Sequence, residues 1–494
     1  MVFLTKILFC FHTPDRSPIF FCTQAKSIHR ILLSIVLFFA CCSASAKLSI
    51  QPVNTKQINK LVSKFHTLST QIYQYYAHSK TLKFNKIDRL EKKVNEFEKQ
   101  DYVSAIILIK SNLATIKDNI DDKSIFYFIS LLLEHNEWGT AHELFDFIKN
   151  DGEKSLISNV NFVFAKYYLK QNKWQKSAYL LTGIFDDLTE ENANYAYLIN
   201  GIALQRLKKH REAIKLYKNI SENSIYYSTA QLNSAIADIR QGWWTDAHLL
   251  IKNLLQNNNI NKSDEITNRL YLVLGYSLLQ KEYYRDAREA FRNISLKSKY
   301  SNRALLGIAL TAANQEDYIG ALNALSILKN KNTSELSVEE SYLLIPYVYG
   351  KIQKNMTASA SYSEAIEYYE NKILNINNVL SNKNKLYSLS NLKKDSGHFK
   401  INGTTIDFTR SYPVYFLDNM HDIKSLIKYI NKPKNKSEKQ FHKKLTSLQE
   451  QYKSMLSNML YNILIQRKEY LNSYINQSRY GLARLYDNTT IDKE

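Results

Sequence analysis

The sequence predicts an all-α protein in which repeated helical hairpins stack into a solenoid, followed by a long C-terminal helix or coiled coil. Glycine (12) and proline (6) are scarce among the 494 residues, which favours helix over turn-rich β folds. Hydrophobic residues make up 45% and charged residues 23%, a composition that excludes wholesale disorder. Small residues recur at intervals of 36 between positions 105 and 213, which indicates a repeat array.

Residues 1–46 carry the three parts of a secretory signal. A basic stretch that ends at Arg30 precedes an apolar run over residues 31–40, and small residues follow at positions 44–46. This order is typical of a cleaved export signal. We therefore expect the mature chain to begin at Lys47 and to be periplasmic.

The four cysteines all lie in this segment, at Cys10, Cys22, Cys41 and Cys42. Two alternatives to simple cleavage stay open: lipidation of Cys41 or Cys42, and an uncleaved N-terminal membrane anchor. If the segment is removed, the mature chain has no cysteine, which excludes disulfides, thiolate metal sites and a cysteine nucleophile.

Cleavage would leave 62 basic and 45 acidic residues, a net charge of +17. Such a charge favours peripheral contact with anionic lipid head groups or cell-wall polymers. The alternative is compositional, and we prefer it because lysine is spread along the chain and is not gathered in one block. We expect no nucleic-acid partner.

A single N-terminal helix is predicted within residues 47–85. Its apolar residues recur every three or four positions, at Ile58, Leu61, Val62, Phe65, Leu68, Ile72 and Tyr75. This spacing places them on one helical face, so we expect the helix to pack on the first hairpin.

Residues 86–375 contain about eight copies of one pattern, in which a small residue follows an aromatic residue by three positions and precedes an apolar one by four. In one copy histidine replaces the aromatic residue. The small residues are Ala105, Ala141, Ser177, Ala213, Ala247, Ala287, Ala321 and Ala365. In four copies a second small residue lies 12–14 positions earlier, at Gly201, Ala235, Gly275 and Gly307. Paired helices need small residues where their backbones approach and bulky ones between hairpins, so each copy predicts one hairpin.

The copy that runs from Leu274-Gly275 to Ala290-Phe291 resembles a tetratricopeptide repeat, with Gly275, Ala287 and Phe291 at the diagnostic positions. The copy around Ala213 resembles it nearly as well. The resemblance covers residues 86–375 and implies a right-handed superhelix that binds protein segments. The array departs from the family pattern at Ser177 and at Ala235, and it lacks the proline that often closes a repeat.

Residues 376–436 are predicted as a polar linker with a small hairpin, because Asn402-Gly403 stands between short alternating runs. Residues 437–494 return to helix, with apolar residues spaced by three and four at Phe441, Leu445, Leu448, Tyr452, Met455, Met459 and Ile463. Two interpretations stay open: a coiled coil that self-associates through residues 437–486, and a long helix that folds back on the solenoid. The whole arrangement is similar to a group of exported proteobacterial tetratricopeptide-repeat proteins that has no assigned activity.

Residues for catalysis, cofactor binding or metal binding are not predicted. Phosphate-binding, nucleophile-elbow and zinc-protease motifs are missing from the sequence. His135 and His142 lack a third metal ligand. The acidic pairs Glu190-Glu191 and Glu339-Glu340 are neighbours whose side chains diverge on a helix, so we expect solvated carboxylates at helix starts.

The candidate partner-binding residues lie on the first helices of the hairpins. Cations close three successive first helices, at Lys170, Arg206 and Arg240, and they predict a basic row in the concave groove that grips an acidic segment. The alternative is that these cations offset helix dipoles. The apolar candidates for the same groove are Phe162, Leu198, Ile236 and Tyr276.

Three classes of function compete. The leading one is a non-catalytic interaction scaffold of the bacterial envelope that binds an unidentified protein partner. The second is an assembly factor for surface polysaccharide or outer-membrane machinery. The third, an envelope enzyme similar to a lytic transglycosylase, is disfavoured because residues 376–494 are too short for a catalytic domain.

Overall fold

A computed structural model describes residues 55–79, 82–256, 265–331, 335–381, 398–401, 404–408 and 411–491. The export segment lies outside these ranges. The predicted all-α solenoid is confirmed, because helices pack on their sequence neighbours along the array. One two-stranded hairpin is present besides the helices in this described part of the chain.

Within the described ranges, one helix precedes the array, eight hairpins form it with one short helix between the first two, and two helices follow it. The helices of the first half are α1 Thr55–Ser79, α2 Ile87–Gln100, α3 Tyr102–Ser111, α4 Leu113–Lys117, α5 Ser124–Glu134, α6 Trp138–Asp151, α7 Lys154–Lys170, α8 Trp174–Leu180, α9 Glu190–Arg206 and α10 His210–Tyr217. Those of the second half are α11 Tyr227–Gln241, α12 Trp244–Gln256, α13 Glu265–Gln280, α14 Tyr284–Arg292, α15 Ser301–Asn314, α16 Tyr318–Lys329, α17 Leu336–Lys351, α18 Asn355–Leu380, α19 Tyr415–Tyr429 and α20 Lys436–Ile491. The hairpins are units 1 to 8: α2–α3, α5–α6, α7–α8, α9–α10, α11–α12, α13–α14, α15–α16 and α17–α18.

The turn inside each hairpin of units 2 to 8 has one backbone geometry. Its left-handed residues are Asn136, Asn172, Lys208, Gly242, Glu282, Glu316 and Gln353, with φ between 58° and 81°. The next residue donates its N–H to the carbonyl five positions earlier, at 2.8–3.0 Å. This bond closes the first helix in a Schellman motif, so the second helix begins two residues after the left-handed one in every case.

The same geometry corrects the register of unit 8. In units 2 to 7 the predicted small residue lies five positions after the left-handed residue. In unit 8 that position is Ala358 and not Ala365. Both alanines are fully buried, because they lie two turns apart on one face of α18. The sequence pattern therefore identified the correct helix, α18, but placed the small residue two turns too late, at Ala365 instead of Ala358.

The second set of small residues makes room for aromatic rings. A Cβ on Gly275 would lie 2.6 Å from the Phe291 ring, and one on Gly307 would lie 2.5 Å from the same ring. A Cβ on Gly201 would overlap the Tyr217 ring. Phe291 thus fills the space between two neighbouring hairpins, as the pattern predicts.

The segment predicted as a linker contains regular structure. The strands β1 His398–Ile401 and β2 Thr404–Asp407 pair antiparallel, with Ile401 opposite Thr404. Beyond them α19 begins at Tyr415, inside the range 376–436. Sequence reasoning missed this helix, although its buried residues Phe416, Ile423 and Leu426 follow helical spacing.

Helix α20 folds back along the array. This arrangement decides between the two interpretations of the apolar residues spaced along positions 441–463. Leu445, Leu448, Tyr452 and Met459 are buried within the chain, and Tyr452 stacks on Phe416 of α19. These apolar residues are therefore covered by the protein's own helices and do not form an exposed surface for self-association.

The two ends of α20 touch opposite ends of the array. Near its start, Phe441 packs edge-on against Tyr75 of α1, with ring centroids 5.5 Å apart. Near its end, Arg479 pairs with Glu370 of α18 at 2.9 Å. Helix α20 has 56 residues and is therefore about 84 Å long, at 1.5 Å per residue. None of the helices in the described ranges is both long and apolar enough to cross a membrane.

Candidate functional site

Positive charge is concentrated at the hairpin turns of units 3 and 4, which hold three and four Lys or Arg residues, and Arg240 continues the row at the turn of unit 5. Segments 170–176, 206–212 and 240–246, which belong to units 3, 4 and 5, contain eight Lys or Arg residues and two acidic ones. The equivalent segment of unit 6, residues 280–286, contains two of each. We call the three segments the basic turn edge.

Two cations of this edge lie over tryptophan rings of the preceding unit. Lys173 Nζ is 4.1 Å from the centre of the Trp138 ring, and Arg206 Cζ is 5.5 Å from that of Trp174. In unit 6, Lys281 lies 4.4 Å above Trp244 in the same way. Each ring comes from the first residue of a second helix, so the repetition of the hairpin builds a ladder of cation–π contacts.

Between the Trp174 and Trp244 rungs, the second helix of unit 4 begins with His210 in place of tryptophan. The pKa of His210 is lowered by burial and by the charge of Arg240. The pKa of Arg240 is itself lowered by burial and by Arg206. The two arginines therefore repel each other, and an anion placed between them would offset that repulsion.

Lys170 and Arg206 are the last residues of their first helices and Arg240 is the last but one of α11, so the predicted basic row lies at the hairpin turns. Arg206 belongs to the ladder described above, and Arg240 lies close enough to His210 for its charge to lower the pKa of that histidine. Lys170 instead approaches Asp418 of α19 at 3.6 Å, and Lys173 takes its place in the ladder. The reason is that a first helix ends at the turn, so its last residue faces the start of a second helix.

The apolar candidates for the groove are packing residues. Phe162, Leu198 and Tyr276 are at most 5% exposed. The Tyr276 hydroxyl donates to the Arg303 carbonyl at 2.7 Å. Ile236 is half-buried against a neighbouring core. None of the four offers an exposed apolar surface to a partner.

An aromatic pocket lies beside the first rung of the ladder. It measures about 490 Å³ and is lined by His142, Phe145, Asp146, Phe164, Tyr168, Gln175, Lys176, Tyr179 and Leu180, from α6, α7 and α8. His142 Nε2 lies 3.2 Å from the Tyr168 hydroxyl, and Phe145 packs on Phe164 with ring centroids 4.6 Å apart. Tyr179 is 78% exposed, so one wall of the pocket is open to solvent.

The acidic pair Glu339-Glu340 is buried, which contradicts the expectation of solvated carboxylates. Both residues are 1% exposed beneath α20. Arg467 pairs with Glu339, and the Tyr474 hydroxyl donates to Glu340 Oε1 at 3.3 Å. Burial raises the pKa of Glu340 to about 7; the Tyr474 hydrogen bond opposes this rise, and the charge of Glu339 adds to it. A substrate could not reach either carboxylate unless α20 moved.

The two histidines lie in different environments. His135 Nδ1 is 3.3 Å from Asp422 Oδ1, and its ring stacks on Tyr102. Asp422 also accepts from the Tyr102 hydroxyl, so this cluster fastens α19 to the first units. His142 belongs to the aromatic pocket. Within the described ranges, no group of three potential ligands is arranged to hold a metal ion.

Comparisons with known proteins return matches to solved structures and no family assignment. No family model and no curated protein matches the chain. The solved structure described as Pseudomonas aeruginosa pilF is 15% identical, with a TM-score of 0.33, and the match covers 45% of this chain and 97% of that one. The P58(IPK) TPR domain is 13% identical, with a TM-score of 0.20, and the match covers 74% and 98%. The Cut9-Hcn1 hetero-tetramer is 14% identical, with a TM-score of 0.31, and the match covers 56% and 52%.

Proposed function

We propose that the protein is a non-catalytic interaction scaffold of the bacterial envelope that binds an acidic segment of a partner protein. The observation that carries the proposal is the basic turn edge, where three consecutive turns hold eight cations and two acids. Charges repeated at the spacing of the hairpins can meet an extended acidic chain at several points.

The position of the binding surface differs from the groove that the sequence predicts. The first helices expose few residues: in α9 only Glu190 and Glu191 are exposed, and in α15 none is. Ladder cations such as Arg206 and Lys173 lie at the turns instead. An acidic segment is therefore expected along the turns of units 3 to 5.

Charge-neutral substitution tests this surface. The triple variant Lys173→Gln, Arg206→Gln and Arg240→Gln is expected to lose one partner in pulldowns from crosslinked envelope, with the difference largest at low ionic strength. The matched control removes the same charge from exposed positions elsewhere: Lys149→Gln, Lys252→Gln and Lys297→Gln. If both triple variants keep every wild-type partner, the proposal is wrong.

The envelope location has a separate test. Export with cleavage after Ala46 predicts that N-terminal sequencing of the mature protein reads from Lys47. A lipidated Cys41 or Cys42 would keep the envelope location with a different anchor. An intact residue 1 in the cytoplasmic fraction would overturn the location, and the binding surface would still stand.

A further inference from the structure

The aromatic pocket and the basic turn edge share residues. Lys173 lies over Trp138 in the ladder and also 5.6 Å from the centre of the Tyr168 ring, which lines the pocket. Lys176 lies 5.5 Å from the same ring. A segment that follows the turn edge toward unit 2 therefore arrives at the mouth of the pocket.

We propose that this pocket holds an aromatic side chain of an acidic protein segment, and that the acidic residues next to it contact Lys173 and Lys176. The inference rests on the proposed function, because it names the anchor of the same partner segment. Cavities of 300–1,000 Å³ are typical of small-ligand sites, and a volume of about 490 Å³ accommodates one aromatic ring.

The lining favours an aromatic occupant. Phe145, Phe164, Tyr168 and Tyr179 present ring faces and edges, with which a further ring packs edge-to-face or offset-stacked. The polar pair formed by His142 and Tyr168 supplies a hydrogen-bonding group for an indole N–H or a phenol hydroxyl.

The charges beside the pocket favour acidic flanking residues. Lys173 and Lys176 form no ion pair within the described chain, and their mutual repulsion adds to burial in lowering the pKa of Lys173 to about 8. A carboxylate between them would remove that repulsion. Asp146 is the one acidic residue of the lining, so the acidic residues of the segment are expected on the side of the two lysines.

Fluorescence anisotropy with labelled acidic decapeptides tests the proposal. The peptides share one Asp/Glu background and differ only in a central Trp, Phe, Leu or Ala. The full mature chain is expected to bind the Trp and Phe peptides about tenfold more tightly than the Ala peptide, the usual contribution of a buried aromatic anchor.

Two variants locate the binding. Tyr179→Ala removes an exposed wall and is expected to abolish the preference for aromatic peptides. Leu249→Ala is the matched control, because Leu249 occupies the equivalent position of α12 and is 57% exposed. Lys176→Gln is expected to weaken all acidic peptides by a similar factor.

The outcomes separate this inference from the proposed function. Equal binding of all four peptides, no binding of any, or an unchanged aromatic preference in Tyr179→Ala would overturn the pocket proposal. Loss of a partner in the Lys173, Arg206 and Arg240 triple variant would still support the basic turn edge. If the triple variant keeps every partner while aromatic peptides bind selectively, the edge is wrong and the pocket stands alone.

Discussion

Phe291 packs against two glycines, whose missing side chains leave room for its ring. Its ring lies between Gly275 of its own unit and Gly307 of the next, with no space for a methyl group on either. Tyr217 uses Gly201 in the same way. The array therefore gains its close packing by pairing a large ring with glycine, at some cost in helix propensity.

Gly275→Ala tests this packing at one residue. Alanine favours helix over glycine by about 1 kcal/mol, but the new methyl group would meet the Phe291 ring, and overpacking a core typically costs about 1–3 kcal/mol. We expect a net loss of stability in urea denaturation. The control is Gly139→Ala in α6, whose Cβ would lie 3.5 Å from the nearest atom, on Thr70. Gly139→Ala is expected to be neutral or stabilising, and equal effects of the two variants would contradict the assignment.

The buried carboxylate of Glu340 makes stability depend on pH. Its pKa is about 7 in the folded chain against an ordinary value of 4.5. Because the folded state holds the proton more tightly, this group's contribution is fully present below about pH 4.5 and is lost as the pH rises through about 7. The loss amounts to about 3 kcal/mol.

Glu340→Gln is therefore expected to stabilise the protein at pH 8 relative to wild type and to change little at pH 4.5. The measurement is the free energy of urea unfolding at several pH values, taken as the difference between variant and wild type. Glu191→Gln, at an exposed helix start, is the control and is expected to show no such pH dependence. A constant difference for Glu340→Gln across this range would show that the carboxylate is not buried as described.

Some of these residues could be predicted from the sequence and others could not. Gly275 and Gly307 could, because small residues at fixed intervals leave a pattern. Glu339 could not, because its partner Arg467 lies 128 positions away on a helix whose direction no local pattern fixes. The cation–π ladder can be predicted only in part: the sequence places Arg206 at the end of a first helix, but periodicity alone does not show that it lies over the Trp174 ring.

At the scale of elements, the left-handed turn positions show why unit 8 was misread. The geometry recurs in seven units, but the residue there is Asn, Lys, Glu, Gln or Gly. No residue type marks the position, so the sequence offers only the aromatic-plus-alanine pattern, which in α18 fits Tyr362 and Ala365. The correct start, Asn355, has no aromatic ring and left no signal.

Gly481→Ala tests the docking of α20 through the sign of its effect. In an undocked helix this substitution stabilises by about 1 kcal/mol because alanine favours helix. In the structure a Cβ at Gly481 would overlap the Tyr362 ring of α18, so we expect destabilisation instead. Thermal unfolding of Gly481→Ala in the wild-type and Tyr362→Ala backgrounds measures it. The substitution should become stabilising once the ring is removed, and stabilisation in both backgrounds would mean that α20 does not pack there.

At the scale of the whole molecule, α20 turns an open array into a bridged one. In a solenoid each unit contacts only its neighbours, so its end units have one unprotected face and unfold most easily. Here the first half of α20 covers α1 and α19, and the second half covers α17 and α18. In the part of the chain that the structure describes, helices α11 to α14 pack against other helices of the array and not against α20. Their stability should therefore not depend on α20.

Two truncations distinguish a bridge from a cap on one end, with amide hydrogen exchange as the measurement. Truncation after Ile463 removes the half of α20 that carries Arg467, Tyr474 and Gly481, and we expect faster exchange in α17 and α18 alone. Truncation after Asn435 removes the whole helix, and we expect faster exchange in α1 and α19 as well, because the contact of Phe441 with Tyr75 is then lost too. Exchange in α11 to α14 should stay at the wild-type rate in both variants, since each unit there keeps its neighbours. If truncation after Asn435 leaves α1 unchanged, the first half of α20 adds nothing to the N-terminal units, and the helix acts only as a C-terminal cap.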